Sequence, residues 1–178
     1  MKKEFDLNSL DAHVFSEQRQ CPVCGSDRRG DCDIPFRSNR YVQAGAQYLG
    51  LDERLVFLLE AIGAHLEPLG WDAGDIFVMS GYRTPYYNKQ LDDTKYSLHQ
   101  WGRAADIFLD KDDNGRMDDF NNDKVISRED AVALAAVLEG LAKTPELSSF
   151  IGGLGIYGAT AAHGPFVHVD TRPSRARW

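Results

Sequence analysis

The chain has 178 residues, enough for about one domain with a buried core. Hydrophobic residues make up 43% and charged residues 26%, as in an ordinary globular domain. The formal net charge of −7 argues against a general nucleic-acid binder, which needs clustered Lys and Arg to neutralise phosphate. No apolar run reaches the ~20 residues that a membrane span needs, so no span is expected.

Residues 1–37 read as an irregular N-terminal arm, and 38–178 as the main domain. The arm holds Cys21, Cys24 and Cys32. Cys21-Pro-Val-Cys24 has zinc-knuckle spacing, with His13 as a fourth ligand, but a disulfide to Cys32 or plain thiols fit as well. Met1 to Asp6 lacks the apolar stretch of a secretory signal.

From Asp52 the pattern becomes helical. Leu55, Leu58, Leu59, Ile62 and Leu66 form one apolar stripe, closed by Gly70. Ile76 to Met79 reads as a short strand, and Thr84 to Leu91 as a short helix with Pro85 in its first turn. Ala104 to Leu109 reads as a second buried strand. Ser127 and Asp130 form a capping-box-like start to an Ala/Leu/Val helix through Leu141. Leu154 to Tyr157 and Phe166 to Val169 complete the strands. Because helices and strands do not alternate regularly, the expected class is α+β, around a small, mostly antiparallel sheet.

The chemistry concentrates in two stretches. Ser97-Leu-His99-Gln-Trp-Gly102-Arg-Ala104-Ala-Asp106 puts an imidazole just before a buried strand and a carboxylate inside it. A buried carboxylate without a partner is costly, so Asp106 calls for a cation. In Phe166-Val-His168-Val-Asp170, strand alternation puts His168 and Asp170 on one face. Two His and one carboxylate leave a fourth zinc position open, as in catalytic rather than structural sites.

Ser97-x-His99-x-x-Gly102-x-Ala104-x-Asp106 followed by His168-x-Asp170 resembles the signature of the M15-type zinc peptidases. Ser80-Gly81-Tyr82-Arg83-Thr84-Pro85 and Asn88 resemble the segment that precedes the first zinc ligand there. The ending, Phe166 to Arg172 and on to Trp178, most resembles the murein endopeptidase branch. The resemblance implies a hedgehog-like fold and zinc on His99, Asp106 and His168, with Arg83 near the substrate. It further implies hydrolysis of peptidoglycan stem peptides in the cell envelope, periplasmic or extracellular. Many relatives carry an acid three residues before the last zinc His, where this chain has Pro165. Asp170 is then the expected general base, and His163 the other candidate. Arg83 or His163 would stabilise the oxyanion, or Arg83 would clamp a substrate carboxylate. A zinc-containing module that only binds cell-wall peptide, and a cell-wall amidase, are the competing expectations.

Residues 110–130 form an acidic insertion. Asp110, Asp112 and Asn114 open one calcium-loop register; Asp119, Asn121, Asp123 and Asp130 belong to a second that overlaps it. Together they resemble the loops of EF-hand and dockerin-type modules. The expectation is a structural calcium ion that orders the segment.

Overall fold

A computed structural model describes residues 50–178; the arm with its three cysteines lies outside the described residues. Three helices and five strands follow in order: α1 (Glu53–Leu66), β1 (Ile76–Ser80), α2 (Pro85–Gln90), β2 (Ala104–Leu109), α3 (Arg128–Leu141), β3 (Gly153–Tyr157), β4 (Phe166–Asp170) and β5 (Ala176–Arg177). The strands form one sheet in the order β1-β2-β4-β3-β5. Every pairing is antiparallel except β3 with β5. The α+β class and the mostly antiparallel sheet follow the sequence pattern. Among the described residues, no helix is long and apolar enough to cross a membrane.

α1 starts where the Asp52 side chain accepts the Arg54 N–H, and its stripe from Leu55 to Leu66 is fully buried. α3 starts with a capping box between Ser127 and Asp130, and it buries Ala131, Leu134, Ala135, Leu138 and Leu141. These stripes share one core with Ile107, Leu109, Val167 and Val169 from the sheet. Burying a Leu or Ile side chain is worth ~1.5–3 kcal/mol, so this apolar layer is the main stabiliser of the sheet that carries the site.

The opposite alternation positions the chemistry. Along β4, Val167 and Val169 point into the core while His168 and Asp170 share the other face. In the β2–β4 register Asp106 lies directly opposite His168, and Ser80 of β1 lies opposite Asp106. Directly opposed Cβ atoms are ~4.5–5.5 Å apart, so the register alone brings a carboxylate and an imidazole into contact.

The acidic insertion is held by its own backbone. Asp110 accepts the N–H groups of Asn114 and Gly115, at 2.8 and 2.9 Å. Asp119 accepts those of Asp123 and Lys124, at 3.0 and 2.8 Å. Asp112, Asn121 and Asp123 make the same kind of turn over shorter reaches. Asp130 is fully buried and accepts three backbone N–H groups: Phe120 at 2.9 Å, Asn121 at 3.2 Å and Ser127 at 2.8 Å. These bonds tie the carboxylates of the insertion to its own backbone. Removing the Asp130 acceptor strands all three donors at ~1 kcal/mol or more each. Asp130→Ala should therefore cost about 3 kcal/mol, or roughly 6–12 °C in Tm. Asp130→Asn, which keeps an acceptor, should cost less; equal melting of Asp130→Ala and the wild type would show that the loop is held otherwise.

Candidate metal centre

His99 sits on a single 3-10 turn, Leu98–Trp101, that ends at Gly102 in the left-handed region, φ 63°. A side chain at Gly102 would collide with the chain that leads into α1, its Cβ lying 1.8 Å from the Gly50 carbonyl oxygen. Only glycine satisfies both demands. The tight contact is sealed by the Asp52 N–H donating to the Gly102 carbonyl, at 2.9 Å. The imidazole is 1% exposed, and its Nδ1–H donates to the Gly81 carbonyl at 2.6 Å. That bond fixes the tautomer and leaves the Nε2 lone pair free to face Asp106 and His168.

Three acceptor atoms converge there. His99 Nε2 is 3.3 Å from Asp106 Oδ1 and 3.3 Å from His168 Nδ1, and His168 Nδ1 is 2.9 Å from Asp106 Oδ1. Ligands ~2.0–2.1 Å from a tetrahedral zinc ion stand about 3.3 Å apart, so this spacing suits such an ion. Among the described residues, His99, Asp106 and His168 are the group of His, Cys, Asp or Glu that could hold a metal ion. The acidic insertion supplies no such group.

The electrostatics are those of a site built for a cation. Burial pushes the His99 imidazole below its ordinary value, favouring the neutral, ligating form. Burial alone would push the Asp106 carboxyl up, but His99, Arg83 and His168 outweigh it and hold the carboxyl well below the usual range. Burial likewise opposes charge on His168, yet its hydrogen bonds to Asp106 and Asp170 raise it to about 9. Without a metal, a proton on His168 supplies the positive charge that the two carboxylates demand.

A second ring of contacts holds the three side chains. Arg83 donates to Ser80 Oγ at 2.7 Å, to Asp93 at 2.9 Å, and to the outer oxygen of Asp106. Each nitrogen of its guanidinium therefore has one protein partner. Asp170 stands behind His168: its Oδ2 accepts from His168 Nε2 at 3.1 Å. Arg172 and the Gly153 N–H hold the rest of that carboxylate, which is fully buried. Gly153 lies opposite Asp170 across the β3–β4 ladder, and a Cβ there would come 2.1 Å from Oδ2. The absence of a side chain at 153 is what lets the carboxylate turn in behind His168.

The metal-facing side opens into a cleft of about 770 Å³. It is lined by His99, Asp106 and His168 on the floor, by Arg83, Asp93 and Tyr96 on one part, and by Tyr157, Arg172 and Trp178 on another. His163, by contrast, is not among the lining residues. Its Nδ1–H donates to the Gly164 carbonyl at 2.8 Å, and its ring meets the edge of Phe166, itself a lining residue, at 4.9 Å.

The cleft thus brings together His99, Asp106, His168 and Arg83, places Asp170 behind the floor, and leaves His163 outside the lining. Sequence reasoning misses Asp93, which lies in an irregular turn after α2 with no spacing to mark it. Ser80 belongs to the Ser80–Arg83 motif, but its hydrogen bond with Arg83 is visible only in the structure. No curated protein and no solved structure matches the chain. The sequence pattern of the family Peptidase M15 matches residues 38–132, a stretch that ends within α3 and includes Arg83, His99 and Asp106. With this match over more than half its length, the chain belongs to the peptidase M15 family.

Proposed function

We propose that this protein is a zinc-dependent peptidase of the bacterial cell envelope that hydrolyses peptide bonds in peptidoglycan stem peptides or their cross-links. The observation that carries the reading is the convergence of His99 Nε2, Asp106 Oδ1 and His168 Nδ1 on the floor of an open cleft in an M15 member. The peptidoglycan substrate rests on the resemblance of the ending, Phe166 to Trp178, to murein endopeptidases.

Zinc at this site would supply Lewis-acid activation of a water molecule and of the scissile carbonyl. The chain's own residues do the rest. The Gly81 carbonyl keeps the lone pair of His99 Nε2 turned inward. Asp170 takes the Nε2–H of His168, so that His168 Nδ1 offers its lone pair toward the same point. Arg83 neutralises the outer oxygen of Asp106 and so orients the inner one. Asp170, enclosed by Arg172 and Gly153, positions His168 and does not meet substrate. His163 is the remaining candidate for proton acceptor: its Nδ1–H is held by the Gly164 carbonyl, and its ring packs on Phe166 of the cleft wall.

The proton on His168 gives a pH prediction. Zinc binding must displace it, so zinc affinity should fall about tenfold per pH unit as pH drops from about 9 toward 6.5. In the metal-free chain the sign is opposite. A folded-state value raised from 6.5 to about 9 stabilises the fold at low pH, and that contribution fades as pH rises through about 9. Competition titrations with a chelator across this range test the first statement; a flat affinity would contradict it.

A digest of purified peptidoglycan, analysed by mass spectrometry, tests the function. Split cross-links or shortened stem peptides are expected. Intact stems released from glycan would indicate an amidase, and an unchanged digest would indicate a module that only binds. Pro165, at the position where many relatives hold an acid, is the feature that favours this last alternative.

A further inference from the structure

Arg172 and Trp178 stand together beside His168, and their geometry is unlike that of the other cleft residues. Arg172 donates its backbone N–H, Nε and Nη2 to Asp170, at 3.0, 2.9 and 2.5 Å. Its Nη1 makes no hydrogen bond to any described residue, and the side chain is 33% exposed along the cleft. The guanidinium carbon lies 5.1 Å from the centre of the Trp178 ring, within cation–π range.

Trp178 is fixed from several directions. Its N–H donates to the Leu154 carbonyl at 3.3 Å, and its carbonyl accepts the Ile156 N–H at 3.0 Å. Its Nε1–H donates to the Tyr157 hydroxyl at 2.6 Å, and its ring lies 5.2 Å from that of His168. Yet the residue remains 47% exposed. An indole held this firmly at a cleft wall has little freedom left to lose when something covers it, so it is preorganised to bind.

The other arginine of the cleft is more heavily engaged: Arg83 donates from all three of its nitrogens, to Ser80, Asp93 and Asp106. Arg172 leaves one whole nitrogen, Nη1, with both N–H groups unused by any described residue.

We propose that the Arg172–Trp178 corner is the specificity-determining end of the cleft and binds a carboxylate carried by the substrate. Nη1 of Arg172 donates to the carboxylate, and the face of Trp178 covers the aliphatic carbons next to it. The carboxylate is either a terminal α-carboxylate or an acidic side chain. The proposal rests on the reading of this cleft as a peptidase's substrate site, and it places the carboxylate on the His168 side of the metal centre.

Calorimetric titration of the zinc-loaded full chain with small ligands tests it. N-acetylalanine and N-acetylalaninamide differ only in the terminal charge; N-acetylglutamic acid α-amide carries the charge on its side chain. At least one of the two acids should bind ~10-fold or more tightly than the neutral amide, as a charge-assisted contact predicts. The stronger acid identifies the source of the carboxylate. Trp178→Ala, with its zinc content verified, should weaken that acid about tenfold. Equal binding of acids and amide would overturn the proposal. So would undiminished acid binding in Trp178→Ala, because the carboxylate would then sit on the metal. A chain that prefers acids but hydrolyses nothing would leave this inference standing and remove the peptidase reading. Hydrolysis that ignores the carboxylate would do the reverse.

Discussion

Replacing His99 by alanine should empty the metal centre and reduce peptide hydrolysis by at least ~10³-fold, more than loss of one oxyanion donor costs in other hydrolases. The expectation follows from how the ligand is held. Nδ1 is spent on the Gly81 carbonyl, Nε2 is one of three converging acceptors, and the ring is 1% exposed. His168→Ala should act alike, with a further consequence: Asp106 and Asp170 lose the imidazole that links them. Two buried carboxylates would then face each other with Arg83 and Arg172 as their remaining partners. Zinc content, hydrolysis and far-UV circular dichroism of both variants, measured together, separate metal loss from unfolding. A folded His99→Ala protein that retains both zinc and activity would remove this residue from the centre.

The second large effect distinguishes Asp170 from His163. Sharing a strand face with His168 makes Asp170 the general base expected from the sequence. The structure keeps it on that face but turns its carboxylate behind the imidazole, where it is fully buried. Partners placed in this way tune a metal ligand, and losing one usually costs 10–100-fold in metal affinity. Asp170→Asn should therefore weaken zinc binding by about that factor, and activity should recover when zinc is supplied in excess. His163→Ala should behave the other way: zinc retained, and kcat lower by ~10²–10⁴-fold. Two measurements per variant, zinc affinity and kcat at saturating zinc, decide the matter. Intact zinc binding and a collapsed kcat in Asp170→Asn would restore it as the base.

The contrast between these residues shows what was legible in the sequence. Helix stripes and strand alternation are local, so α1, α3 and the facing of His168 and Asp170 could be read from periods of 3.6 and 2. The metal group could be read because each ligand sits on an element whose register is set by apolar neighbours. What a carboxylate does within its face depends on residues far along the chain. Gly153 leaves room for Asp170, and Arg172 draws it back. Neither contact has a periodic signature. The same holds for Arg83, whose position was legible but whose contacts with Ser80, Asp93 and Asp106 were not. β5, two residues long, carries too short a pattern to be seen, although it sets Trp178 against the cleft.

The most direct test of the account is to remove the metal and return it. Zinc stripped from the purified chain by a chelator and then restored in steps should be followed by metal analysis and by hydrolysis of peptidoglycan in the same samples. Hydrolysis should disappear with the metal and return in proportion to zinc up to about one ion per chain, and the His168→Ala protein should regain neither. Hydrolysis that persists in metal-free wild-type protein, or returns in the His168→Ala variant, would contradict it.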